Sequence, residues 1–497
     1  MSIWHLTTRT TEVTTYQMLF HQPATWACQI ENVDRTSKKM GDFFHSSISK
    51  NTCIDFHNHV APPIIIQGPI VHSVSKDRIT ALENKLIAVK DGKIVALEDS
   101  ECMDEIRRMI GDNFIFFKLE PGMFLCPGFI DGHIHAPQFP NVGLGMDKSL
   151  LDWLSTYTIP LEKKYKDVNF SETVYNYVVD TTLKCGTTTA CYFSTIFKNN
   201  SKLLAEIVRR KGQRALIGKV NMNQNSVLDY FEETDESLKE TEEFVKDVFE
   251  LNSSLVEPVI TPRFAISCDK DLLKKLGSLA EKYDLYVQSH ISENLEEIKL
   301  TMELFPDCAN YADVYDKAGL LTNKTILAHG VHLLDDELLL LSRRGTAIVH
   351  CPNSNTYLKS GLCDVKRLLD NKIKVALGTD VSGGISLSIM DAMRTTLATS
   401  NHLSILGKQV KPLTYHEAFY LATLGGAEAL NKEKTIGNFQ VGKDFDALVV
   451  DMEVKVGSMS CSLATHNLLE LVQKFIYLGD DRNIKMVFVQ GKPVVNK

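Results

Sequence analysis

An alternation of short apolar runs with helical stretches across the centre is the feature that most constrains the fold of this chain. Eight such runs recur over about 260 residues, which is the size and rhythm of a (β/α)8 barrel of TIM type, an α/β fold. The intervening stretches 237–251 and 269–283 have amphipathic helical patterns, and the second begins with a capping aspartate. A doubly wound open sheet is the competing interpretation, but no Gly-x-Gly-x-x-Gly follows a strand. The predicted barrel strands are 124–135, 186–192, 215–220, 256–260, 285–290, 325–329, 347–350 and 374–380.

The two ends of the chain share a different pattern, in which short apolar runs are separated by turn residues. Residues 86–97 predict a β-hairpin that turns at Asp91-Gly92, and similar runs return at 446–450 and 486–495. Neither end has enough strands to be stable alone, so we predict one small composite β-sandwich domain built from both. The predicted domains are a poorly ordered extension at 1–60, a β domain at 61–123 and 436–497, and a catalytic barrel at 124–435.

The composition indicates a globular protein that acts on small molecules. The chain is 44% hydrophobic and 23% charged, and its formal net charge of −8 argues against nucleic acid as a partner. Its 11 cysteines contain no Cys-x-x-Cys pair, which predicts a reducing, cytoplasmic location without disulfides. No uninterrupted apolar run of about 18 residues occurs, so we predict no membrane partner.

Five polar residues each lie at the end of a predicted strand: His133, His135, His290, His329 and Asp380. Strand ends of a parallel barrel meet at one rim, so these side chains converge although they are distant in sequence. Three imidazoles and one carboxylate suit a zinc ion that keeps one position for water. We predict one Zn²⁺ per chain, held by His133, His135, His290 and Asp380.

Acid–base catalysis also has candidates in the sequence. Glu293 follows His290 by three residues and could carry a proton between the attacking water and the substrate, a task that Asp380 could share. His329 is predicted to orient the nucleophile rather than to bind the metal fully. The structural alternatives are a helix N-terminal carboxylate for Glu293, a loop cap for Asp380 and a hydrogen-bonded structural histidine for His329.

Other candidates do not fit the barrel. His57 and His59 form a second His-x-His pair, but using it as strand one would insert more than about a hundred residues before strand two, so we assign it to the N-terminal region. Cys351 is predicted to be a packing residue at a strand end rather than a nucleophile.

Several motifs together resemble the amidohydrolase superfamily, and the resemblance covers residues 64–497. Further stretches are similar to the members of that superfamily that deaminate guanine: 135–138 (HAPQ), 150–158 (LLDWLSTYT), 261–264 (TPRF) and 315–324 (YDKAGLLTNK). The superfamily motifs are 127–135 (PGFIDGHIH), 289–293 (SHISE), 327–330 (LAHG), 350–355 (HCPNSN) and 377–380 (LGTD).

The resemblance implies a reaction and a set of residues. Water activated by zinc attacks C2 of guanine, ammonia leaves and xanthine forms, as a step of purine catabolism in a cytoplasmic homodimer. The implied catalytic residues are Glu293, Asp380 and His329, and the implied substrate contacts are His135, Gln138, Arg263, Phe264, His290, Glu293 and Asp380.

Simple chemistry supports the contacts that are specific to guanine. Arg263 offers donors to the O6 carbonyl, Gln138 can donate and accept along the ring edge, and Phe264 can cover a ring face. A surface salt bridge is the structural alternative for Arg263.

Two other functions remain open at this point. One is a relative that deaminates or dehalogenates another heterocycle, such as a pterin, an adenosine derivative or an s-triazine. The other is a catalytically silent scaffold, although every predicted ligand position is filled. The unrelated zinc deaminase fold is disfavoured, because neither its His-x-Glu nor its Pro-Cys-x-x-Cys signature is present in a suitable arrangement.

Overall fold

The computed structural model describes residues 62–454 and 466–497, together with the backbone of two short strands nearer the N-terminus. The predictions for the remainder of residues 1–61, including His57 and His59, lie outside the described residues.

The strands, in chain order, are β1 (Thr15–Met18), β2 (Cys28–Glu31), β3 (Ile64–Ser75), β4 (Arg78–Lys90), β5 (Lys93–Asp99), β6 (Ile115–Lys118), β7 (Met123–Pro127), β8 (Phe129–His135), β9 (Thr187–Phe193), β10 (Arg214–Gly218), β11 (Val220–Asn221), β12 (Val256–Pro262), β13 (Tyr286–Ile291), β14 (Thr325–His329), β15 (Ala347–His350), β16 (Lys374–Leu377), β17 (Ala447–Asp451), β18 (Ile484–Val489) and β19 (Lys492–Asn496).

The α-helices are α1 (Met103–Ile110), α2 (Leu150–Trp153), α3 (Ile159–Glu162), α4 (Val168–Lys184), α5 (Lys198–Lys211), α6 (Thr234–Glu250), α7 (Lys270–Tyr283), α8 (Leu295–Leu304), α9 (Tyr311–Lys317), α10 (Asp335–Arg344), α11 (Pro352–Tyr357), α12 (Val365–Asp370), α13 (Ile389–Ile405), α14 (Tyr415–Ala422), α15 (Leu424–Ala429) and α16 (Leu468–Leu478). A π-helical turn at Leu154–Thr158 joins α2 to α3, and 3₁₀ turns lie at Ser100–Cys102, Ala136–Asn141, Lys163–Lys166, Ala265–Ser267 and Asp481–Asn483.

The central strands form the predicted (β/α)8 barrel. The parallel order is β8-β9-β10-β12-β13-β14-β15-β16, with β11 paired to β12. Strands such as β9, β13 and β14 are buried at every position, as expected where helices cover the sheet. The ring closes through two backbone hydrogen bonds between β8 and the segment that follows β16, from Asp380 N to His133 O (2.9 Å) and from His135 N to Val381 O (3.1 Å).

The surrounding helices follow the sequence signals that predict them. The α7 helix begins after Asp269, whose side chain accepts a hydrogen bond from the backbone of Leu272, and the predicted capping role of this aspartate is confirmed. The α4 helix starts in the same way after Asp167. These caps satisfy backbone donors that a helix start leaves unpaired.

The strands from the two ends form one mixed sheet in the order β19-β18-β17-β7-β3-β4-β5, with β6 beside β3. The β4–β5 hairpin turns as predicted: Asp91 and Gly92 have φ values of 51° and 78°, as a two-residue type I′ turn requires. Residues 124–127 lie in this sheet as part of β7, so the first barrel strand begins at Phe129. Gly128 joins β7 to β8, and a residue with a side chain would not fit there because its Cβ would lie 2.1 Å from Thr188 Oγ1.

Buried polar contacts join the terminal sheet to the barrel. Arg214 of β10 bonds Asp444 (2.8 Å) and Asp446 (3.1 Å) through its guanidinium, and all three side chains are buried. Within the terminal domain itself, the Nδ1 atom of His72 on β3 accepts a hydrogen bond from the backbone of Phe439 at 3.0 Å. Burial lowers the pKa of His72 to about 4, so its ring is neutral at pH 7.

Two further properties of the described residues concern the cysteines and the helices. The eight cysteines among them are all free thiols. Within the same residues, no helix combines the length and the apolar character needed to cross a bilayer.

Candidate metal centre and active site

Closure of the barrel brings together the first and last strands, which carry three of the predicted site residues. His133 and His135 lie two apart on β8, and the backbone hydrogen bonds described above place Asp380 beside them. Asp380 has φ 46°, and His329 at the end of β14 has φ 76°. Left-handed backbone at residues other than glycine is strained and is found preferentially at functional sites.

The predicted donors meet at the carboxyl-terminal rim. Nε2 of His133 lies 3.2 Å from Oδ1 of Asp380, and Nε2 of His135 lies 3.5 Å from the same oxygen. The Nε2 atoms of His135 and His290 are 3.2 Å apart. All four side chains are buried, and the structure brings together the four residues that the sequence predicts as metal ligands.

These distances fit a bound metal ion. Ligands about 2.0 to 2.1 Å from a tetrahedral zinc lie about 3.3 to 3.4 Å from one another, close to the separations observed here. His133 Nε2 is buried, and Oδ1 of Asp380 lies 3.2 Å from it. Both atoms could therefore bind one ion. Burial lowers the pKa values of His133, His135 and His290, which keeps these imidazoles neutral, as metal ligation requires.

The predicted set of metal ligands differs by one histidine from the set that is defined by donor-atom distances alone. The donor atoms that lie within 4.8 Å of one another belong to His133, His290, His329 and Asp380. His329 Nε2, however, faces the other oxygen of Asp380 at 3.8 Å and Glu293 Oε2 at 3.6 Å. His135 Nε2, the fourth ligand of the predicted set, shares Oδ1 of Asp380 with His133, whereas His329 lies between two carboxylates.

Neighbouring groups orient the imidazoles. His290 Nδ1 donates to the carbonyl oxygen of Arg263 at 2.5 Å, which leaves Nε2 as the free donor atom for a metal. His329 Nδ1 donates to Oδ1 of Asn355 at 2.8 Å. Asp131 accepts hydrogen bonds from the backbone of Thr379 (3.1 Å) and from its hydroxyl (2.5 Å), which tethers the segment leading to the metal-binding carboxylate.

Glu293 lies beside the metal donors but is not one of them. Its Oε1 accepts a hydrogen bond from Ser360 at 3.0 Å, and its Oε2 faces His329. Burial raises the pKa of Glu293 to about 7, against the opposing effect of His329. Burial acts to lower the pKa of His329, but Glu293 and Asp380 outweigh it and the net direction is upward. For Asp380 the histidines outweigh burial and hold its pKa well below the ordinary range.

A pocket of about 380 Å³ opens onto the metal donors. The predicted substrate contacts Gln138, Arg263 and Phe264 all line it, together with Glu293 and His329. Its remaining wall is apolar and is formed by Leu150, Trp153, Leu154 and Leu358.

Sequence reasoning missed several residues that support the site. Glu162 bonds both Gln138 and Arg263, while Asp131 bonds Thr379 and Asn355 bonds the ring of His329. Asp131 and Asn355 lie inside motifs singled out from the sequence, so their proximity to His133 and Cys351 was an available signal. Glu162 had none, because a glutamate at the end of a helix looks like a solvated residue. Cys351 is buried in an apolar cluster, as predicted.

Comparisons with known proteins agree with this geometry. The model of the Amidohydrolase family matches residues 124–494. A guanine deaminase from Rattus norvegicus is 48% identical over 438 residues, covering 87% of this chain and 96% of the relative. One from Homo sapiens is 45% identical over 442 residues, covering 87% and 97%.

Solved structures point the same way. A crystal structure of guanine deaminase from C. acetobutylicum with bound guanine in the active site superposes with a TM-score of 0.80, at 36% identity, covering 87% of this chain and 100% of that one. The chain therefore belongs to the amidohydrolase family and, within it, to the guanine deaminase family.

Proposed function

We propose that this protein is a zinc-dependent hydrolase that converts guanine and water to xanthine and ammonia. The observation that carries the proposal is that one pocket combines a buried cluster of metal donors with Gln138, Arg263 and Phe264. The membership of the chain in the guanine deaminase family supports the same substrate.

The metal would be held by His133, His135, His290 and Asp380, whose facing donor atoms lie at the spacing of tetrahedral ligands. A zinc ion bound there supplies Lewis acidity that makes water a nucleophile at neutral pH.

Substrate recognition falls to the pocket wall beside these donors. Arg263 can donate hydrogen bonds to O6 of guanine, and Gln138 can donate to and accept from the ring edge. Phe264, on the same wall, can cover a ring face. With guanine held in this way, C2 and its amino group would face the catalytic carboxylates.

The proton transfers fall to Glu293 and Asp380, with His329 between them. Glu293 can take the proton that the attacking water loses and deliver it to the ring nitrogen next to C2. Asp380 can accept the second proton, from the hydroxyl group now on C2, because one of its oxygens faces the metal donors and the other faces His329. This second proton passes to the amino group, the C2–N bond breaks, and ammonia leaves as the C2 carbonyl of xanthine forms. His329 orients the nucleophile and hydrogen-bonds the tetrahedral centre.

Ultraviolet absorbance with guanine, adenine and cytosine in parallel tests the function, with and without chelator and added zinc. We expect turnover of guanine that is lost on chelation and restored by zinc. Activity on adenine or cytosine but not on guanine would favour a relative acting on another heterocycle. A metal-free, correctly folded and inactive chain would favour a scaffold.

The setting of the reaction is also a proposal. The reaction would serve purine catabolism in the cytoplasm, which the free thiols of the described cysteines support. The homodimer is the assembly that the family resemblance implies, and light scattering would test it against a monomer.

A further inference from the structure

A buried ion pair lies behind the pocket, formed by residues that are far apart in sequence. Arg263 Nη1 donates to Oε2 of Glu162 at 2.8 Å, and Nη2 donates to Oε1 at 3.1 Å. Gln138 Nε2 donates to the same Oε1 at 3.0 Å. Glu162 is completely buried and does not line the pocket, whereas its two partners do.

This arrangement settles which way the Gln138 amide points. Its Nε2 faces a carboxylate that can only accept, and its Oε1 accepts the backbone N–H of Ser382 at 3.1 Å. Reversing the amide would oppose two donors at Ser382 and two acceptors at Glu162. The donors and acceptors that Gln138 and Arg263 can still offer to the substrate are therefore fixed.

The carboxylate also sets the charge of the pocket wall. Burial acts to lower the pKa of Arg263, but the Glu162 charge and its hydrogen bonds outweigh this, so the guanidinium stays protonated. Paired with a carboxylate, the guanidinium contributes no net charge to the wall. Without that carboxylate, a buried cation would attract anionic ligands.

We propose that Glu162 is a positioning residue that fixes the hydrogen-bonding pattern of Gln138 and Arg263 and makes the pocket select an uncharged purine. This inference rests on the proposed function, because guanine is neutral at physiological pH. Xanthine is a stronger N–H acid and forms an anion more readily. The neutral wall therefore favours the substrate over the ionised product.

Three variants change the wall charge in a predictable way. Glu162→Gln leaves it positive, Arg263→Gln leaves it negative, and the double variant leaves it neutral like the wild type. The preference for xanthine over guanine is measured at alkaline pH as the guanine KM divided by the xanthine inhibition constant. This ratio should be highest in Glu162→Gln. Wild type and the double variant should agree within about threefold, and Arg263→Gln should be lowest. A purely structural role would leave this ratio unchanged, and any other order overturns the proposal.

A second measurement tests whether Glu162 acts through its partners. Glu162→Gln should lower kcat/KM for guanine by about tenfold to a hundredfold, mostly through KM, with unchanged zinc content. The kcat/KM of the double variant should be no lower than that of Arg263→Gln alone, because the carboxylate has no role once its main partner is gone. If the loss in kcat/KM of the double variant were the product of the two single losses, the proposal would be overturned. The double variant has no unpaired buried charge, so it keeps the comparison available if Glu162→Gln does not fold.

The chain also provides a matched control. Glu232 forms a comparable buried pair with Lys219 at 2.5 Å, away from the pocket lining. Glu232→Gln should reduce stability but leave the ratio of xanthine to guanine affinity at the wild-type value. An inactive wild type would refute the proposed function, and the affinity order could then still be measured by direct binding of guanine and xanthine.

Discussion

Replacing Glu293 with glutamine tests the proton transfers most directly. The glutamine has nearly the same shape, and its oxygen can still accept the hydrogen bond from Ser360. It cannot hold a mobile proton, and it removes the negative charge beside His329. The metal donors belong to other residues, so metal content should not change.

The size of the effect follows from the role. A positioned acid–base group contributes about 10²- to 10⁴-fold to the rate. At about 1.36 kcal/mol per tenfold, this corresponds to about 2.7 to 5.4 kcal/mol of transition-state stabilisation. Ser360→Ala is the matched control, because it removes the hydrogen bond to Glu293 and leaves the carboxyl in place. We expect a smaller loss than in Glu293→Gln, because the carboxyl that carries the proton stays in place.

The assay combines guanine turnover followed by ultraviolet absorbance with elemental analysis of the same preparation. The reasoning is supported if Glu293→Gln loses at least about a hundredfold in kcat while it retains zinc. Turnover within about tenfold of wild type in the zinc-loaded variant would assign proton transfer elsewhere. Parallel loss of zinc and activity would instead mean that Glu293 helps to hold the metal.

Three further predictions concern the support of the site and the fold. Asp131→Asn should weaken zinc binding about tenfold to a hundredfold in a chelator competition, because its carboxylate holds Thr379; unchanged affinity would exclude this role. Gly128→Ala should lower Tm, because overpacking against Thr188 costs about 1 to 3 kcal/mol, and adding Thr188→Ala should recover part of the loss. Burial lowers the pKa of His72 from 6.5 to about 4. On acidification the unfolded chain therefore binds this proton first, and the free energy of unfolding falls by about 3 kcal/mol between these two pH values. The Tm of His72→Gln should therefore fall less than that of wild type from neutral to acidic pH, and an equal fall would contradict the assignment.

The barrel and its metal donors could be predicted because both depend on local patterns. Each strand is an apolar run that its own sequence specifies, and parallel strands bring their carboxyl ends to one rim. His290 and Asp380 could therefore be assigned to the same site without knowledge of the path between them. The β4–β5 hairpin was predictable for the same reason, since Asp91-Gly92 specifies its turn.

Other features depended on how distant segments meet. The sequence alone determined the alternation of strands and helices, the donors at the strand ends and the hairpin. Only the tertiary structure decided that residues 124–127 leave the barrel for the terminal sheet, because the crowding of Gly128 against Thr188 arises between strands. Only it decided that Glu162 pairs with Arg263, 101 residues away. A buried ion pair has no local signature, because burial depends on what the rest of the chain packs against it, whereas a strand end is encoded where it occurs.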